Sequence, residues 1–231
     1  MSPTLFDEFL AIFGLKITKQ VAVRSPISAT IRLQVTLRFL ATGDNLKSLD
    51  YLFRVSDSTI SKIVEETCEE ILNCLKFKVF PTKLTENFWK NVAADFEEHW
   101  NFSHCIGCVD RKVITMKAPP HSNSFFYDYK GHHSIHLQAY VDAHQQFILV
   151  EIEAAGRQTK PLVPGGTGLP FVFLGDEAFG LSNFFIAPYP RGSLAAFGGL
   201  ASVWQVFKDG MKISLPCMIE VTKALVCLHI F

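Results

Sequence analysis

The chain lacks an excess of either charge: across 231 residues, 22 Lys and Arg face 22 Asp and Glu. That balance excludes the global basic field on which non-specific nucleic-acid binding depends, so any basic surface must be local. Cysteine is scarce and scattered, six residues at 68, 74, 105, 108, 217 and 227. This excludes a disulfide framework and reads as buried free thiols in a reducing compartment. No apolar run is long enough to span a bilayer. The opening "MSPTLFDEFLAIFG" carries Asp7 and Glu8 and has no basic stretch ahead of its apolar one, which makes it poor signal-peptide material. No internal repeat or low-complexity tract is present. The expectation is a soluble nuclear or cytoplasmic protein with no membrane partner.

What the chain does have is apolar content, about half of its residues, enough to build a real core. Over the first third, apolar residues recur at spacings of three and four. In "TIRLQVTLRFLATG", Ile31, Val35, Leu37 and Phe39 predict a helix ended by Gly43. "LKSLDYLFRVSDSTISKIVEETCEEILNCL" predicts a short helix, a break near Val55 and Ser56, an N-cap at Asp57 and a longer helix. This is a helix-turn-helix pattern. Read functionally, it sets Ser58, Thr59 and Lys62 against bases and Arg54 against a phosphate. Read as scaffolding, it is a plain helical corner whose second helix carries Glu65, Glu66, Glu69 and Glu70, which phosphate would repel.

A stretch rich in proline, charge and aromatics follows, and then the period changes. "CIGCVDRKVITMKA", "SIHLQAYVDA", "FILVEIEAA" and "LPFVFLGDEAF" read as strands around turns such as "YKGHH" and "DAHQQ". The first three are joined too closely for parallel crossovers and predict an antiparallel meander followed by a further strand. "GGLASVWQVF" and "LPCMIEVTKALVCLHIF" return to helical spacing. The expected class is α+β with a mixed sheet. The expected divisions are a helical, helix-turn-helix-like region at 1–80, a linker at 81–104 and a sheet domain at 105–231.

Two aspartates stand where an aspartate is costly: Asp110 inside an apolar run, and Asp176 directly after "LPFVFLG". Side by side they would repel each other, and a divalent cation would reverse that penalty. Capping or salt bridging is the alternative. "CIGC" has the form of half a zinc site, but no second C-x-x-C or close H-x-x-x-H accompanies it, and strand alternation would set Cys105 and Cys108 on opposite faces. His132, His133 and His136 could face a metal or a phosphate, or simply line an exposed edge. Lys112 alternates back to the face of Asp110 and could meet a DNA phosphate. Phe125, Phe126, Tyr127 and Tyr129 could stack bases, although packing on the sheet accounts for them better.

The collinear order of "LRFLATGDNLKSLDYLFRVSDSTISKIVEETCEEI", "GCVDRKVITMKAPPHSNSFFYDYKGHHSIHLQAYVDAHQQFILVEIEAAGR", "LPFVFLGDEAF", "PYP" and "AFGGLASVWQVF" closely resembles transposases of the PIF/Harbinger superfamily and the nuclease-like proteins derived from them. The resemblance implies an RNase H-like nuclease domain, DNA as substrate, and two aspartates with a glutamate holding divalent Mg²⁺ or Mn²⁺. It places the first aspartate on Asp110, with Arg111 in the position of the usual glycine, and the second on Asp176. It also implies DNA targeting shared with a separate Myb-like partner protein. The family glutamate falls on Leu194, so the third acidic residue is missing, and Glu177 is the nearest spare carboxylate. A second block is missing after Gly156, where Lys160 stands near an expected acidic position. The resemblance therefore implies weak metal binding and impaired cleavage of DNA, or a non-catalytic DNA- or protein-binding remnant.

Overall fold

The computed structural model describes residues 2–20, 25–119, 122, 126–127, 131–154, 172–175, 185–186, 196–208 and 210–230. The chain divides into two compact units. Met1–Val79 with Leu200–Phe231 form one, and Phe80–Gly199 form the other.

The first unit is helical. α1 (Pro3–Ile17) starts with Ser2, whose side chain accepts from the Leu5 amide at 3.2 Å, and has proline in its first turn. α2 (Ala29–Thr42) starts at Ser28 and, as expected, ends at Gly43. Gly43 adopts φ 68 and donates its N–H to the Phe39 carbonyl at 2.9 Å. α3 (Leu46–Phe53), a three-residue turn and α4 (Asp57–Val79) make the helix-turn-helix. The amides of Thr59 and Ile60 both donate to the Ser56 carbonyl at 2.9 Å, so Ser56 caps α4, one residue ahead of the expected Asp57.

α7 (Leu215–Ile230) packs along α4. It buries Cys217, Met218, Val221, Leu225 and Leu228 among others, and a helix apolar around most of its circumference has no stable place except inside. Each such side chain, fully buried, contributes about 1.5–3 kcal/mol. Phe13, Leu33, Leu40, Leu49, Ile63 and Ile71 complete this core. Ile31, one of the residues whose spacing predicts α2, is 38% exposed. α6 (Ala196–Val203) and a single 3₁₀ turn (Gln205–Phe207) precede α7.

The second unit is α5 (Glu86–Trp100) and a sheet. β1 (Cys105–Thr115), β2 (Ser134–Val141) and β3 (Phe147–Ala154) form an antiparallel meander, and β4 (Val172–Gly175) runs parallel to β1. A two-residue strand missed in the sequence, β5 (Phe185–Ile186), runs parallel to β4. The order is β3-β2-β1-β4-β5, a mixed sheet, and the class is α+β.

The compact units cut the chain differently from the expected divisions. Most of the stretch read as a linker is α5, capped by Thr85 and laid on β1 through Val92, Ala93 and Phe96. Residues 200–231, assigned by sequence to the sheet domain, belong to the helical unit.

Candidate metal centre

β1, which carries Asp110, is the central strand, with β2 on one side and β4 on the other. Its first part is irregular: the β1–β4 register shifts between Cys105 and Gly107. Gly107 is required there, since a Cβ would lie 3.0 Å from the Phe173 ring and 3.3 Å from the Val141 carbonyl. The bulge corrects the expectation for "CIGC". With one residue taken out of the alternation, Cys105 and Cys108 turn to the same side, and both are buried. A hydrogen bond between the two thiols lowers the Cys105 pKa and, with burial, raises that of Cys108.

Beyond the bulge the alternation is regular. Cys108, Asp110 and Lys112 share one face, and Val109, Arg111 and Val113 share the other. Asp110 is half-buried and pairs across with Ala139, which is fully buried and presents only a methyl group. The Arg111 amide donates to Asp110 Oδ1 at 2.9 Å, fixing the carboxylate against its own strand.

The opposite face is occupied. Arg111 Nη2 donates to Gln138 Oε1 at 2.8 Å, and Gln138 Nε2 donates to the Tyr140 hydroxyl at 2.7 Å. The Tyr140 ring meets Phe173 edge-on at 5.4 Å, and Phe173 meets Trp89 of α5 at 6.2 Å. Arg111 thus points toward the α5 side and does not crowd Asp110. His136 pairs with Val113 and so shares the Arg111 face rather than that of Asp110. His133 stacks edge-on with the exposed Tyr127 at 5.2 Å.

Asp176, Glu177, Lys160 and Leu194 lie outside the described residues, as do Phe125 and Tyr129. The last described β1–β4 pair on that side is Val109 with Gly175. Among the described residues no three His, Cys, Asp or Glu side chains are gathered where they could hold a metal.

In the helical unit, Arg54, Ser58 and Lys62 are exposed and Thr59 is half-buried. Arg54 adopts φ 55 at the end of α3 and donates its N–H to Asp50 at 2.8 Å. The Ser58 and Thr59 hydroxyls lie 3.3 Å and 2.8 Å from that of Ser56, drawn into the cap of α4. One of the four glutamates on α4 is neutralised internally: Glu66 pairs with Arg32 and, at 3.1 Å, with Lys19. The α4 charge is therefore less uniformly negative than the sequence implies. Among the described residues no helix is long and apolar enough to cross a membrane.

Comparison with known proteins adds one relative. The chain is 31% identical over 130 residues to "Protein ALP1-like" of Arabidopsis thaliana. The matched stretch is 54% of this chain and 30% of that protein, so this chain spans well under half the length of the curated relative it matches. No family model matches, and no solved structure matches.

Proposed function

We propose that the chain is a transposase-derived, nuclease-like protein of the Harbinger type, with Asp110 and Asp176 as two arms of a weak divalent-metal site. The observation that carries this reading is the parallel pairing of Val109 with Gly175. Val109 and Gly175 directly precede Asp110 and Asp176 in the sequence, and this supports the expectation that the two aspartates act together. The order β3-β2-β1-β4-β5, antiparallel then parallel, supports an RNase H-like sheet. The collinear motifs and the ALP1-like relative support the lineage.

The donor set suits a hard cation. Asp110 is a half-buried carboxylate opposite a methyl group, on the face turned away from Arg111. When bound, Mg²⁺ or Mn²⁺ would supply activation of a water and stabilisation of the leaving oxygen of a phosphodiester. Asp110, with one oxygen fixed by the Arg111 amide, and Asp176 would hold the ion. Lys112, on the same face, would meet a DNA phosphate. With Leu194 where the family glutamate belongs, one ligand is lost, and catalysis by positioning falls steeply with displacements of about 1 Å. We infer that the chain does not cut DNA at a family-like rate.

A second reading keeps the helix-turn-helix and drops the chemistry: a DNA- or protein-binding remnant working beside a Myb-like partner. The exposed Arg54, Ser58 and Lys62 at the α3–α4 corner favour it. One experiment with two arms decides. Manganese titration of wild type, Asp110→Ala and Asp176→Ala should give weak binding that both substitutions reduce, while plasmid nicking stays at background in wild type and in Leu194→Glu. Superimposable titrations remove the metal site. A salt-sensitive gel shift alongside them would leave the remnant reading standing.

A further inference from the structure

α3 packs on α2 and α4 and buries Leu49 completely. Its outward face is apolar where a short surface helix is ordinarily polar. Tyr51 is 86% exposed and Leu52 59%, and among the described residues they are the only exposed large apolar side chains that are consecutive in the chain. Others are scattered singly, which is ordinary for a protein surface. Some of those also have a polar partner: Phe77 lies 5.0 Å from the Lys76 ammonium, and Trp100 donates its indole N–H to the Ala143 carbonyl at 2.8 Å.

The face has a definite layout. Lys47 stands four residues before Tyr51 and Ser48 four before Leu52, so the exposed side of α3 is two parallel rows, Lys47–Tyr51 and Ser48–Leu52. Exposed Lys47 begins it and exposed Arg54, the helix cap, ends it. Among the described residues neither cation forms an ion pair. The nearby carboxylates are engaged or withdrawn. Asp44 accepts from Arg38 Nε at 3.2 Å, Asp57 Oδ1 accepts from the Ser58 amide at 2.7 Å, and Asp50 is half-buried and pairs with neither Lys47 nor Arg54. The result is an apolar centre between two cationic ends. A DNA phosphate would suit Lys47 and Arg54 but would leave Leu52 without an apolar cover.

We infer that the outward face of α3 docks an acidic amphipathic helix of a partner protein, whose apolar stripe covers Tyr51 and Leu52 and whose carboxylates meet Lys47 and Arg54. The occupant is helical because two rows of side chains with a groove between them receive the ridge of another helix. It is acidic because both ends of the face are cationic. Tyrosine and arginine are also the residue types that anchor such contacts. The inference rests on the protein-binding half of the second reading above, and on neither the metal site nor cleavage.

The probe is a fluorescein-labelled amphipathic peptide with leucines along one helical face and glutamates on its borders, titrated by fluorescence polarisation with the full chain. One control peptide has the same composition in scrambled order, and another has lysine in place of each glutamate. Wild type should bind both controls about tenfold or more weakly than the probe. Leu52→Ser and Tyr51→Ala, at exposed positions where the fold does not depend on them, should each lower affinity for the probe by about tenfold. Lys47→Glu should weaken the glutamate peptide and strengthen the lysine one. Equal affinity for the ordered and scrambled peptides, or for wild type and Leu52→Ser, overturns the proposal. So does a DNA gel shift that Leu52→Ser abolishes, which would give this face to nucleic acid. A salt-sensitive gel shift lost in Lys62→Ala and kept in Leu52→Ser leaves the DNA contacts of the second reading standing, whatever the peptides show.

Discussion

At the residue scale, Glu66 holds two cations of unlike situation. Arg32 is buried, its side chain 7% exposed, while Lys19 is half in solvent. Burial alone would raise the Glu66 pKa, but hydrogen bonds from Lys19 and Arg32, with their charges, outweigh it and bring the value below 4.5. The exposed Lys19 pair contributes little. The Arg32 pair matters because its loss strands a buried guanidinium. Glu66→Ala should therefore destabilise the helical unit by about 1–3 kcal/mol in urea denaturation. Because the folded carboxyl has the depressed pKa, its contribution is fully present above pH 4.5 and is lost as pH falls through the lower folded value. The variant and wild-type stabilities should converge there. The strand that carries Asp110 was legible in the sequence, because an apolar run around it has the length and residue types of a strand. The Arg111–Gln138–Tyr140 chain was not, because it depends on a cross-strand register that local pattern does not fix.

At the element scale, the helices that announced themselves were those with a stop or start signal beside a clean period, such as α2 between Ser28 and Gly43. α5 was hidden because "TENFWKNVAADFEEHW" mixes charges and aromatics as linkers do. Its buried face is only Val92, Ala93 and Phe96, too narrow a stripe to stand out. The bulge in β1 escaped for a different reason: strand alternation assumes one step per residue, and a glycine packed under Phe173 breaks that count. Gly43 does two jobs at once. It takes a left-handed φ of 68, and it leaves room for the backbone of the 3₁₀ turn. A Cβ there would sit 3.1 Å from the Gln205 carbonyl and 3.1 Å from Val206 Cα. Gly43→Ala should cost about 1–3 kcal/mol, read as a lowered midpoint in thermal unfolding, since a rigid backbone cannot yield as a flexible side chain would.

At the scale of the whole molecule, α+β class and the meander were visible in the change of period, but the partner of α7 was not. Sequence shows that α7 is apolar and leaves open which surface covers it. The structure assigns it to α4, far away along the chain. Leu225→Ala, at a fully buried α7 position, should cost about 2–5 kcal/mol. Amide exchange should speed up along α4 and α2 and change far less in β2, which lies in the other unit.

The helical unit is interrupted by the sheet unit, residues 80–199 standing between its two parts. On the ribosome, β1 to β5 are therefore all synthesised while α7 does not yet exist. The nascent α1–α4 can pack on one another, but the part of α4 that α7 covers stays exposed. Closing the intervening stretch carries an entropic cost that grows only slowly with length, about 0.6 kcal/mol for each doubling, so the wait is set by translation rather than by chain entropy. During that interval the first helices made are the segment most open to chaperones and to aggregation. The helical unit can complete its core only after the sheet unit has been made.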